Sequence, residues 1–294
     1  MWIFVTVFAA TCQSMRTAYQ NSLAKEHGFL HATMARSLFG LPIVSLYLAI
    51  CIMLFGSVDA NDLRYFLVVS SLCALSQIAA TYFMLRVFQT GSYAMGTLLA
   101  KTEAVIIAVL GIFLLANHLS AMAWMGVGLG VSGALVMSIK AANLRYLHKD
   151  PSLIFGLASG LCFAIASVTA AMGSHALAGS VITRAGVTLW VVLALQSLLL
   201  CSVQMLQTKD WLAPLRHGRA LSVKVGILSA FGSIGWFTGF ALMNPALVKT
   251  LGQIEIIGTL YFSKVRFGEK LTRQQWCGGA MIIISVLLVT LAPI

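Results

Sequence analysis

Two glutamates stand in stretches that are otherwise apolar. Glu103 lies in "LLAKTEAVIIAVLGIFLL", residues 98–115, and Glu255 in "TLGQIEIIGTLYF", residues 250–262. A charged side chain at the middle of a bilayer costs about 2.5–3.5 kcal/mol on insertion scales, so an ionisable residue there is a functional hypothesis by default. A carboxyl in that setting can take a proton, hold a cationic group, or exchange one for the other. That exchange is the minimal chemistry of a proton-coupled antiporter. The competing reading is a carboxyl buried against a neighbouring helix for packing alone.

Other polar residues recur at helical spacing. Gly252, Glu255, Gly258 and Thr259 fall on one face, and Lys249 and Gln253, four apart, extend the polar track. Lys101, two residues from Glu103, falls on a different face of a regular helix. Near the start of the chain Thr6, Gln13, Thr17 and Gln20 form a stripe with Arg16 beside it, and Ser70, Gln77 and Thr81 form another. Such stripes face a cavity or a partner helix, because lipid leaves their hydrogen bonds unmet. Trp236 and Phe240, four apart, either stack on a substrate or hold its cation, or they pack against a neighbouring helix. Arg36 and Arg184 stand near helix starts, where arginine either snorkels to the headgroups or pairs with a carboxylate of the cavity or of a substrate.

The elements that carry these residues follow from composition. The chain is 60% hydrophobic and only 9% charged, with mean hydropathy +0.93. Soluble domains carry about 25% charged residues, so most of this surface must be clothed by lipid. A spanning helix needs about 20 mostly apolar residues. The chain breaks into about ten such runs: 2–23, 29–54, 64–86, 92–115, 119–139, 152–173, 180–206, 221–243, 246–264 and 274–293. The first run lacks a basic n-region and is interrupted by Gln13, Arg16 and Gln20, so it reads as a mature helix rather than a signal peptide. Pro42 is placed to kink the second run, and Pro245 suits the first turn of the ninth. Gly232, Gly235 and Gly239 make a face that admits a close helix, and Gly126 and Gly130 have the same small-residue spacing. The six cysteines fall singly in apolar runs, the pattern of small packing residues.

The formal net charge of +11 is unevenly distributed. Links after odd-numbered helices hold Lys25, Arg86, Lys140, Arg145, Lys149, Lys209, Arg216, Arg219, Lys224, Lys264, Arg266, Lys270 and Arg273. Links after even-numbered helices hold little beyond Arg64, which follows Asp59 and Asp62. The positive-inside rule then puts the odd links in the cytoplasm and both termini outside, in a cell membrane, the inner membrane of a bacterium.

The chain also repeats itself. Shifted by 152 positions, Leu99 falls on Leu251, Glu103 on Glu255, Leu119 on Leu271, Trp124 on Trp276 and Gly126 on Gly278. With six tryptophans in the chain, matched tryptophans and matched glutamates in one window carry more weight than overall identity. A looser match sets Arg36 on Arg184, and the arginine-to-glutamate separations are then 67 and 71 residues. Each half, 1–143 and 150–294, holds about five helices. An odd count inverts the second half, which gives a pseudo-two-fold in the membrane plane with substrate near the midplane. Glu103 and Glu255 are then expected to approach each other across that axis.

Two five-helix halves resemble the drug/metabolite transporter superfamily, in its EamA-like branch. Halves of that family close with a segment similar to "LFGERLS" between their fourth and fifth helices. Here the second half reads "RFGEKLTRQQWCGG", residues 266–279, and the first reads "LLANHLSAMAWMGVG", residues 114–128, with Asn117 in place of the glutamate. The family often carries a proline in the fourth or ninth helix, where this chain has Thr102 and Ile254 beside its glutamates. The resemblance implies an all-α membrane transporter.

The residues and the resemblance together read as a secondary transporter of a small amine-bearing metabolite, zwitterionic or cationic, such as an amino acid or a derivative. Family analogy points to export by proton exchange. Alternatives are broad efflux of hydrophobic cations and, from another class, a lipid-carrier flippase or a membrane sensor. No HExxH, GxSxG or phosphate-loop motif and no acidic cluster at metal spacing is present in the sequence, so neither an enzyme nor a bound cofactor or metal is expected.

Overall fold

The computed structural model describes residues 1–90, 103–115, 120–138, 151–208, 216–256, 265 and 272–292. The described residues are almost entirely helical. In chain order the helices are α1 Trp2–His27, α2 Phe29–Leu38, α3 Leu41–Phe55, α4 Leu63–Thr90, α5 Glu103–Leu115, α6 Ala121–Ser138, α7 Pro151–His175, α8 Val181–Thr208, α9 Arg219–Leu242, α10 Pro245–Gly252 and α11 Arg273–Leu291. Counting α2 and α3 as one interrupted span, the described residues hold five helices before residue 143 and five after residue 150. A two-residue antiparallel bridge pairs Asp59 with Ala178 and Ala60 with Leu177, tying the link after α3 to the link after α7.

Among the described residues five stretches are long and apolar enough to cross a membrane: Phe29–Phe55, Leu63–Gln89, Ile154–His175, Val181–Gln207 and Arg219–Leu242. Ala121–Gly133 and Trp276–Leu291 are shorter apolar helices. The outside of these helices is greasy, with Met53, Leu54, Val68, Leu198 and Leu206 all exposed, while Arg16, Arg36, Gln77, Gln196, Lys249, Glu103 and Glu255 are buried. Apolar surface with charge inside is the arrangement lipid solvent selects, since only the interior can satisfy polar groups.

The chain clusters into two compact units that cut across the sequence repeats. One holds residues 1–78 and 169–242; the other holds 79–168 and 243–294. In the first unit α1 lies along α9, and α3 packs on α8. The α1–α9 approach depends on the glycine face: a Cβ at Gly235 would sit 2.7 Å from the Val5 carbonyl oxygen and 2.8 Å from the Ala9 Cβ. Gly28, at φ 88°, adopts the left-handed backbone that reverses the chain from α1 to α2. The span expected to kink at Pro42 breaks at Phe39–Gly40, and Pro42 sits in the first turn of α3, where its missing N–H costs no helical bond. Gly226 of α9 accepts that break, since a Cβ there would press on Phe39.

In the second unit α6 lies along α11. Cβ atoms at Gly126, Gly130 and Gly133 would collide with α11 or its neighbours, the first at 2.7 Å from Val289 Cγ2 and the last at 2.8 Å from the Gly278 carbonyl. Ser285 of α11 donates to the Gly126 carbonyl at 2.5 Å. Helix α10 begins as its sequence dictates. Asn244 caps it by accepting from the Ala246 N–H at 2.9 Å, with Pro245 in the first turn. Of the cysteines, Cys12, Cys51 and Cys73 are buried, Cys162 and Cys201 half-buried and Cys277 exposed, and all are free thiols.

Candidate functional site

The charged centre of the second unit lies between α10 and α5. Lys249 Nζ stands 3.2 Å from Glu103 Oε1 and 3.3 Å from Oε2, so the ammonium bridges both carboxylate oxygens. Both side chains are under a tenth exposed. The Lys249 ammonium also lies 5.7 Å from the centroid of the Phe163 ring, whose negative face adds to its stabilisation. Burying two charges is costly, and mutual neutralisation at close range offsets that cost.

The turn of helix after Lys249 is irregular. Gln253 N–H goes to the Thr250 carbonyl at 3.1 Å, Ile254 N–H to Leu251 at 3.2 Å and Ile256 N–H to Gln253 at 2.9 Å. These are i→i+3 bonds, the tighter winding that marks interruptions within helices. Discontinuous helices of this kind form the ion and substrate sites of many transporters. Gln253 is 1% exposed, and neither its amide nitrogen nor its amide oxygen has a hydrogen-bond partner. Its side chain presses on Gly130, where a Cβ would lie 2.6 Å from Oε1. Glu255 follows the interruption and is also buried, at 3% exposure. Both glutamates thus belong to the same unit. Thr81, of this unit, is buried as well. Lys101, Thr259 and Gly258 lie outside the described residues, as does Asn117.

The polar centre of the first unit is built differently. Arg36, on α2, donates from Nη2 to Gln77 Oε1 of α4. Gln77 Oε1 also accepts from Gln196 Nε2 of α8 at 3.1 Å, and Gln196 reaches the Ala74 carbonyl at 3.4 Å. Arg36 is therefore no headgroup anchor; it is 5% exposed and tied to the Gln77 amide. Arg184, its partner in the repeat, donates instead to the Leu177 carbonyl at 3.3 Å and braces the bridge at the start of α8. The α1 stripe is divided among several tasks. Thr6 and Thr17 bond back to the Trp2 and Gln13 carbonyls, each at 2.8 Å, and Gln20 donates to the Ala32 carbonyl of α2 at 2.9 Å. Gln13 accepts from the Trp236 indole N–H at 2.8 Å. Trp236 and Phe240 stack with centroids 5.9 Å apart, both buried in this unit. Arg16 is buried at 4% exposure.

Two of these residues carry roles that sequence reasoning missed. Lys249 reads from sequence as part of a polar track, yet it is the ion partner of Glu103. Gln196 goes unnoticed in "LWVVLALQSLLL", residues 189–200, although a lone amide in so apolar a run was the signal.

Lipid-facing helices in two five-helix repeats, with charges held inside, are the architecture of many membrane transporters. A model of the EamA-like transporter family matches residues 1–139 and again residues 150–291. The chain belongs to the EamA-like transporter family and is a multi-pass membrane transporter. One solved crystal structure of a protein, 15% identical, aligns over 99% of this chain and 96% of its own with a TM-score of 0.68, a likeness of fold. Among curated proteins none matches the chain.

Proposed function

We propose that this transporter carries a small zwitterion with a free amine, an amino acid or a derivative of one, and exports it in exchange for protons. The observation that carries the reading is the Lys249–Glu103 ion pair. A buried ammonium–carboxylate pair is an internal copy of a zwitterion. A substrate bearing both groups can replace each half with its own, ammonium on Glu103 and carboxylate on Lys249, and leave the interior neutral. A purely cationic substrate would take Glu103 and strand Lys249, at the cost of an uncompensated buried charge. The pair therefore favours a zwitterion over a hydrophobic cation. The aromatic stack that a hydrophobic cation would need already has Trp236 hydrogen-bonded to Gln13, which favours packing there. Glu103 is assigned the amine because it already holds an ammonium, and Glu255 is assigned the proton exchange.

Binding of amino acids to the purified protein, each beside its amine-only and acid-only analogues, tests the substrate class. Zwitterions are expected to bind and both analogues to fail. Glu103→Gln is expected to weaken binding about ten- to a hundredfold, the loss of a charge-assisted hydrogen bond. Amine-only analogues binding as tightly as zwitterions would refute the proposal. In proteoliposomes an imposed pH gradient is expected to drive accumulation in the wild type and not in Glu255→Gln; accumulation that survives the substitution removes Glu255 from the coupling.

A further inference from the structure

Gln253 brings an unused carboxamide to the unit that holds the ion pair. It is 1% exposed, and among the described residues neither its Nε2 nor its Oε1 has a hydrogen-bond partner. A buried amide left unsatisfied at both ends is destabilising, and in a native fold such a group calls for a reason. It lies against Gly130 of α6, where a Cβ would sit 2.6 Å from Gln253 Oε1 and 2.5 Å from Ser285 Oγ of α11. Ser285 is a hydroxyl at hand, yet it donates to the Gly126 carbonyl at 2.5 Å instead. The winding of the chain explains how the amide comes to stand there. Gln253 N–H bonds to the Thr250 carbonyl and Ile254 N–H to the Leu251 carbonyl, both i→i+3 bonds. Such winding advances each residue by about 120° round the axis rather than about 100°. Over the three steps from Thr250 the Gln253 side chain is therefore turned about 60° further than α winding would turn it. With α winding Gln253 would stand one turn beyond Lys249 on the same face. Here Lys249 meets Glu103 of α5, while Gln253 meets α6 and α11.

We infer that Gln253 reads the head of the substrate: when the turn after Thr250 rewinds, its carboxamide meets the amine and the carboxylate together and selects amino acids in which one carbon separates the two. The inference rests on the zwitterion reading of the Lys249–Glu103 site and narrows it to α-amino acids. A carboxamide presents an acceptor and donors on a single carbon. Oε1 accepts from an ammonium and Nε2 donates to a carboxylate, and one ligand meets both only where those groups lie side by side. An α-amino acid holds them so. A β- or γ-amino acid spreads them and leaves one end of the amide unmatched in a buried site, the condition under which a close analogue is rejected. The ion pair by itself selects for two opposite charges and not for their spacing.

Binding of α-, β- and γ-aminobutyrate to the purified full-length protein, with n-butylamine as the amine-only control, tests this. The three isomers share one composition and one net charge and differ in the spacing of amine and carboxylate. The wild type is expected to bind the α isomer about ten- to a hundredfold more tightly than the other two. Gln253→Met, of nearly the same length and without the amide, is expected to fold, to bind all three isomers and to lose the preference among them. Gln253→Leu serves if the methionine variant does not fold. A glutamine with a merely structural role would weaken all three isomers in proportion and leave their ratio unchanged, which overturns the inference. Equal binding of the isomers by the wild type overturns it as well, and both results leave the zwitterion reading intact. Binding of n-butylamine as tight as that of the α isomer, or binding of no isomer at all, sinks the zwitterion reading and this inference with it.

Discussion

Lys249 and Glu103 form a buried ion pair, with Nζ 3.2 Å from Oε1. Removing one partner of a buried pair leaves a charge with nothing to neutralise it, and such losses run to about 3–5 kcal/mol. Lys249→Met is therefore expected to lower the thermal stability of the detergent-solubilised protein markedly. The double variant Lys249→Met with Glu103→Gln removes both charges and is expected to recover most of the loss. A double-mutant cycle measures the coupling directly. Single variants whose effects simply add would show that the two side chains do not act as a pair.

The helices meet on glycine faces, and those faces set what each can tolerate. On α6 the glycines differ sharply within three turns. A Cβ at Gly133 would lie 2.8 Å from the Gly278 carbonyl and 2.9 Å from the Met281 Cβ of α11, both of them fixed to backbone. A Cβ at Gly128, exposed on the other side, meets nothing within 4 Å. Gly133→Ala is expected to destabilise by about 1–3 kcal/mol through overpacking. Gly128→Ala is expected to be neutral or mildly stabilising, since alanine is favoured over glycine in a helix interior. Melting curves of the two variants, side by side, give the comparison; equal effects would mean that α6 does not pack on α11 through this face. The capped start of α10 offers a milder case. Asn244→Ala removes the acceptor for the Ala246 N–H and is expected to cost about 1 kcal/mol.

At the scale of the molecule, the distribution of lysine and arginine predicts orientation. Arg219 is exposed at the start of α9, in a link dense in basic residues. By the positive-inside rule it is expected to face the cytoplasm. Arg219→Cys in a cysteine-free background is expected to stay unlabelled by an impermeant thiol reagent in sealed cells and to react after permeabilisation. Labelling before permeabilisation would reverse the orientation, and with it the assignment of both termini to the outside.

Class and architecture were legible in the sequence because each rests on properties that sum along the chain. Too little charge to face water implies lipid, apolar runs of spanning length count the helices, and rare residues recurring at a shift of 152 reveal the repeat. The placement of Glu103 and Glu255 away from lipid followed from the same reasoning, as did the helix start at Pro245 and the glycine face of α9. Partners were another matter. The repeat suggested that the two halves share their chemistry, but Lys249 falls on Thr97 under the shift, so the cation that meets Glu103 has no counterpart to announce it. Lys249 and Glu103 are 146 residues apart, and Gln196 and Gln77 are 119 apart. Periodicity reports which face of a helix a residue occupies and says nothing of which other helix meets that face. Only the tertiary structure decided that one buried lysine meets a carboxylate while one buried arginine donates to the Gln77 amide, because pairing inside a low-dielectric interior is a property of distance between side chains, not of either sequence position.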